Sequence, residues 1–129
     1  MKRSVMLTVT SLLLISLAMV HLAQDIVYGY EPGTVNNLLV VPIAVVWLYG
    51  TLVLAGRRSG YIIMLLGAIV GTGIPILHMA GAGLVGGRIA NSHGAFFWVW
   101  QNFALCVISA CSVILAVRGL WSLPWRRRQ

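Results

Sequence analysis

Charge is what this sequence has least of. Only 9% of its 129 residues are charged, against 60% hydrophobic, whereas a soluble domain carries roughly a quarter charged residues. A soluble chain this short has too little interior to hide so much apolar surface. Acidic residues are scarcer still: Asp25 and Glu31 are the whole supply. Cysteine is limited to Cys106 and Cys111, both inside the last apolar run. Five positions apart on a helix they point in different directions, which excludes a comfortable disulfide and predicts inert, buried thiols. There is no CxxC and no HExxH motif, so no self-contained metal signature is present. No basic stripe exists either. The net charge of +7 is dispersed in short clusters between apolar runs, which excludes a nucleic-acid surface.

What remains is a set of long apolar runs, one domain's worth of chain. Met1-Lys2-Arg3 followed by an apolar core resembles a signal peptide in form. The run is nevertheless long enough to cross a bilayer and is read as the first transmembrane helix. The expectation is an all-α integral membrane four-helix bundle, with spans at about 4–24, 38–56, 61–80 and 95–117. Pro32-Gly33 and Asn36-Asn37 break the first connection, and the asparagines offer capping oxygens to the second span. Pro42 falls in that span's first turns, where a missing N–H costs little. Pro75 predicts a kink or a lost hydrogen bond in the third span. Residues 81–94, rich in glycine, read as a loop. Phe96, Phe97, Trp98 and Trp100, with Tyr28 and Tyr30, read as anchors at one interface, and Trp121 and Trp125 at the other.

Lys2, Arg3, Arg57, Arg58, Arg118 and Arg126 to Arg128 fall on one side of such a bundle, and Arg88 alone falls on the other. The asymmetry puts both termini in the cytoplasm and implies one fixed orientation, as in a bacterial inner membrane. It excludes a dual-topology multidrug transporter, which would also need a carboxylate deep in the first helix. Glu31, beside Pro32, reads as a solvated charge, as does Arg88.

Polar groups gather at one depth. His21, His78 and the Gln101-Asn102 pair each lie about 16–20 residues from a basic cluster, roughly 25–30 Å from the cytoplasmic surface. On a helix His21, Gln24, Asp25 and Tyr28 share one face. Polar side chains at that depth turn to the bundle interior and seek partners. His21 and Asp25, with His78 and His93, form a candidate set of three nitrogens and one oxygen for copper or zinc. His21 and His78 could instead be the axial ligands of a haem b. Met79 points about 100° away from His78, which disfavours both holding one ion. The plainer reading is that Asp25 only orients the His21 ring, or caps a loop amide, and that no cofactor is present.

Gln24, Gln101 and Asn102 are the supporting polar groups, and the two in the fourth span are expected to bond across the bundle. Gly67, Gly71 and Gly73 are expected to let helices pack closely or to make room for a macrocycle. The functional reading is therefore a metal- or haem-binding membrane protein with its site near the outer face. The alternative is a non-catalytic accessory subunit of a larger membrane complex or of a homo-oligomer, its partners being lipid and other membrane helices. A small transporter or lipid-binding pocket ranks third, because no polar path crosses the cytoplasmic half. No catalytic residue is assigned.

Overall fold

A computed structural model describes the backbone of residues 2–80 and 93–123, and the side chains of 5–76 and 93–123. Among these residues the chain forms helices α1 (Lys2–Val27), α2 (Val40–Leu52), α3 (Arg58–Ala80) and α4 (Ala95–Ser122), with a 3-10 helix, Val35–Leu39, leading into α2. Four stretches are long and apolar enough to cross a membrane: Val5–Val27, Val35–Leu52, Arg58–Ile76 and Ala95–Ser122. The helices extend beyond the expected spans by a few residues, most at the end of α4. The second is the exception, closing at Leu52 because Gly56, at φ 78°, turns the chain into α3. Most of loop 81–94, the His78 and Met79 side chains, Trp125 and the final arginines lie outside the described residues.

Local chemistry sets the ends. Gly29 adopts φ 71°, which an L side chain rarely tolerates. Around it Tyr30 N–H donates to the Asp25 carbonyl (2.7 Å) and Gly29 N–H to the Ile26 carbonyl (3.1 Å). This is the Schellman pattern, and it ends α1 while satisfying carbonyls that the helix itself cannot. The next start is capped by Asn37, whose Oδ1 accepts the Thr34 N–H at 2.8 Å. Pro42 sits in the first turn of α2 as expected. Pro75 lies inside α3, which continues to Ala80; having no N–H, it gives the Gly71 carbonyl no helical donor, the lost hydrogen bond expected there.

A seven-residue repeat organises the packing. The buried positions run Leu7, Ser11, Leu14, Ala18, His21, Asp25 on α1 and Tyr61, Met64, Ala68, Gly71, Pro75 on α3. On α4 they run Trp98, Asn102, Leu105, Ser109, Ser112, Ala116, Gly119, and Ile15, Gly60 and Gln101 are buried beside the seam. Alternating steps of four and three are the signature of near-parallel or antiparallel helices meshing along a seam. α4 packs against α3 and α1, α2 packs against α3 and α1, and α1 also touches α3 across the diagonal. One core cluster joins Leu14, Ile15, Ala18, Trp47, Ala68 and Leu105; a second, at the other end, joins Leu7, Tyr61, Met64 and Ala116.

The distribution of polarity is inverted relative to a soluble protein. Ser11, His21, Asp25, Thr51, Gln101, Asn102, Ser109 and Ser112 are buried, while Leu13, Val20, Leu38, Val45, Ile69, Phe103 and Ile114 are exposed. Apolar bulk outside and polar groups inside is what a lipid solvent selects. Cys106 and Cys111 correct the sequence reading: both lie on the outer face. They flank seam positions Leu105 and Ser112, so the repeat itself turns them outward.

α1 and α2 are joined by a closed hydrogen-bond circuit. The Trp47 indole N–H donates to Ser11 Oγ (3.0 Å), and Thr51 Oγ1 donates to the Trp47 carbonyl (2.8 Å). Thr51 having spent its proton there, Ser11 supplies the one between the hydroxyls, 2.8 Å apart. Ser11→Ala leaves the indole N–H without its acceptor and should cost about 1–2 kcal/mol. A Ser11/Thr51 double-mutant cycle, read by unfolding in detergent, should return a coupling of roughly 0.6–1.7 kcal/mol.

Candidate functional site

The Schellman turn places Asp25 in the last turn of α1, with its carboxylate inside the bundle. That is an unfavourable end for an anion, because the helix dipole is negative there. The carboxylate is also almost removed from solvent, with Asp25 5% and His21 3% exposed. Two nitrogen groups offset both costs. Oδ1 accepts the Trp98 indole N–H at 2.8 Å, a bond between residues 73 positions apart. Oδ2 lies 3.4 Å from His21 Nε2, one turn back on the same helix. The two oxygens thus face different nitrogen groups, and Asp25 couples the end of α1 to the start of α4.

Aromatic rings close the cluster. The His21 and Trp98 ring centroids are 5.9 Å apart, and Tyr30 meets Trp98 edge-on at 6.3 Å. Tyr28 stacks on Tyr30 at 5.8 Å. Tyr28 also packs on Gly94, where an added Cβ would lie 2.6 Å from the ring. The start of α4 is therefore docked on the turn that ends α1, and Trp98 enters the seam one turn later.

A cavity of about 360 Å³ opens beside the cluster. α1 contributes His21 and Asp25 to its wall, the turn and 3-10 helix contribute Glu31, Asn36 and Asn37, and α2 contributes Val40, Ile43, Ala44 and Trp47. Val70 and Ile74 of α3 complete it. A second cavity, of about 380 Å³, continues between α2 and α3, sharing Ile43, Trp47 and Val70 with the first. Its other walls are Pro42, Val46, Ile63, Leu66 and Gly67.

The polar layer anticipated from the sequence is assembled in part. His21 and Asp25 come together. Gln101 bonds across the bundle as expected, its Nε2 donating to the Leu17 carbonyl of α1 at 2.8 Å. Asn102 does not: its Nδ2 donates to the Trp98 carbonyl of its own helix at 2.9 Å. Gln24 is half-buried, and its Oε1 has no hydrogen-bond partner among the described residues. His93 is exposed in the turn before α4. The backbone of His78 lies near the end of α3, and its side chain is outside the described residues. Among the described residues no third His, Cys, Asp or Glu joins His21 and Asp25 in a group that could hold a metal.

Gly67 and Gly71 are close-packing positions, the first under the Trp47 ring and the second 2.8 Å, measured from an added Cβ, from Ser109 Oγ. Gly73 differs, since an added Cβ there would meet nothing within 4 Å among the described residues. Trp98 corrects the expectation of an interface anchor: it is fully buried. Its neighbours Phe96, Phe97 and Trp100 do point outward. The signal for Trp98 was its place on the α4 repeat, a turn before Asn102 and two before Leu105. Glu31 is exposed, but it faces the cavity mouth rather than solvent alone.

No family model, no curated protein and no solved structure matches this chain.

Proposed function

We propose that this chain is a small multi-pass membrane protein, both termini cytoplasmic, that binds a ligand through His21 just beneath the outer membrane boundary. The observation that carries the reading is the buried Asp25 carboxylate held between Trp98 and His21 beside a cavity. Such a cluster is poor value for stability, since well-packed apolar residues serve a fold as well or better. Ionisable groups at this depth mark functional sites by default.

A carboxylate turned to one ring nitrogen fixes the orientation of an imidazole and raises its basicity, an arrangement typical of metal-binding histidines. In this reading His21 contacts a copper or zinc ion or a haem iron. Asp25 changes from the ligand anticipated in the sequence to a positioning residue, and His78, whose side chain lies outside the described residues, stands as the candidate for a further ligand.

Elemental analysis and a visible spectrum of detergent-purified protein test the metal or haem. A stoichiometric metal or a Soret band that is lost in His21→Ala, with the fold retained, is the expected result. A wild-type protein with neither, or with a metal content indifferent to His21→Ala, would remove the metal and haem reading. The accessory-subunit alternative draws on the outward aromatic ridge of Phe96, Phe97, Trp100 and Phe103 on α4. Its mark would be stoichiometric co-purification with a larger membrane complex.

A further inference from the structure

The two cavities share three walls and differ in chemistry. The first ends on Asp25, Glu31, Asn36, Asn37 and His21, and so includes every acidic residue of the chain. Among the described residues no lysine or arginine lines it. The second is lined wholly by apolar side chains and glycine. Together they make one elongated site with a polar end at the edge of the bundle and an apolar run toward its middle. Each is within the size range of cavities that take small organic ligands.

We propose that this pair of cavities binds a single-chain amphiphile with an uncharged, hydroxylic head, of the phenol or glyceride kind. The head sits against Asp25 and Glu31, and the chain lies between α2 and α3. The inference rests on the reading of the His21 cluster as a binding site, but not on a metal being there.

Electrostatics selects the head. A phosphate or carboxylate head would meet two carboxylates, with no lysine or arginine among the described residues of the wall to offset them, and like charges at short range in a poorly screened site repel strongly. A hydroxyl donates to carboxylate oxygens and accepts from asparagine amides, so it matches every polar wall. A quaternary ammonium head would satisfy the charge but donates no hydrogen bond to any of them. Geometry selects the tail. Val70 lies at the junction of the two cavities and is half-exposed on the outer side of α3, so a single extended chain passes it in going from one to the other.

The test uses the full chain in lipid nanodiscs and three probes with the same tail: 4-dodecylresorcinol, dodecyl phosphate and dodecyltrimethylammonium. Titration calorimetry against empty nanodiscs should show saturable binding of 4-dodecylresorcinol, at least tenfold tighter than either charged probe. Glu31→Gln, at an exposed position, should weaken it about threefold and Asp25→Asn at least tenfold. Val70→Trp, which fills the junction from an exposed position, should also weaken it at least tenfold. Leu66→Trp, at an exposed wall of the apolar cavity alone, should do the same, while tail-free resorcinol binds that variant as it binds wild type.

Equal or tighter binding of a charged probe would overturn the proposal. So would indifference to Val70→Trp, or no saturable binding at all. If tail-free resorcinol binds as tightly as the dodecyl form and still depends on His21 and Asp25, the amphiphile is refuted while the binding site at His21 stands.

Discussion

Asp25→Ala should destabilise the bundle by about 2–5 kcal/mol, the largest loss expected from any single polar side chain here. The substitution strands one buried donor and removes the carboxylate that the His21 ring faces. The Trp98 indole N–H is fully buried, and its acceptor Oδ1 lies 2.8 Å away. The His21 ring faces Oδ2 at 3.4 Å. A buried donor left unmade costs roughly 1–3 kcal/mol, and with the imidazole protonated the loss of its buried partner raises the total to about 3–5 kcal/mol. Couplings between polar groups in membrane bundles run lower, averaging about 0.6 kcal/mol, which draws the expected loss toward the lower end of that range.

Asp25→Asn is the informative comparison. It keeps an oxygen for Trp98 and turns an amide nitrogen toward His21 Nε2, which a neutral imidazole meets by presenting its bare nitrogen there, so it should cost about half as much or less. The backbone bonds that end α1 use the Asp25 carbonyl and survive in both variants. Equilibrium unfolding in mixed detergent micelles, followed by tryptophan fluorescence, measures both. An Asp25→Ala protein as stable as wild type would mean that the carboxylate does not join α1 to α4 in solution.

How the sequence encodes this arrangement differs from residue to residue. The helix ends are local chemistry and were readable: Gly29 and Gly56 take positive φ where the composition predicts turns. The shared face of His21 and Asp25 follows from a four-residue spacing on one helix. Trp98 was not readable in the same way, because an aromatic in the first turns of a transmembrane helix looks alike whether it faces lipid headgroups or a buried acid. Only its register with Leu105, Ser109 and Ser112, carried over several turns, separates the two. That register also turns Cys106 and Cys111 outward against the expectation of burial.

Gly67, Gly71 and Gly73 make the same point from the other side. Spacing finds small residues, but which of them meets a neighbour depends on where the other helices cross. Asn102 is a further case, since an amide four residues after a backbone carbonyl can bond back along its own helix as easily as across the bundle.

The glycines yield the second large effect. Gly67→Val should cost about 3 kcal/mol or more, whereas Gly73→Ala should be neutral or stabilising by up to roughly 1 kcal/mol. At Gly67 the ring of Trp47 lies closer than a Cβ can come, so any side chain there displaces the indole. Trp47 is a member of the core cluster with Leu14, Ala18 and Leu105, and its indole N–H closes the circuit through Ser11 and Thr51. Moving it opens a cavity and leaves Ser11 with a lost donor, and the two losses add to the overpacking strain. It also reshapes both cavities, since Trp47 is a wall of each. At Gly73 an added methyl meets none of the described residues, so what remains is the helix preference for alanine over glycine. The same unfolding assay separates the pair. Equal stability of the two variants would mean that Trp47 does not lie on Gly67, and the junction between the cavities would need to be redrawn.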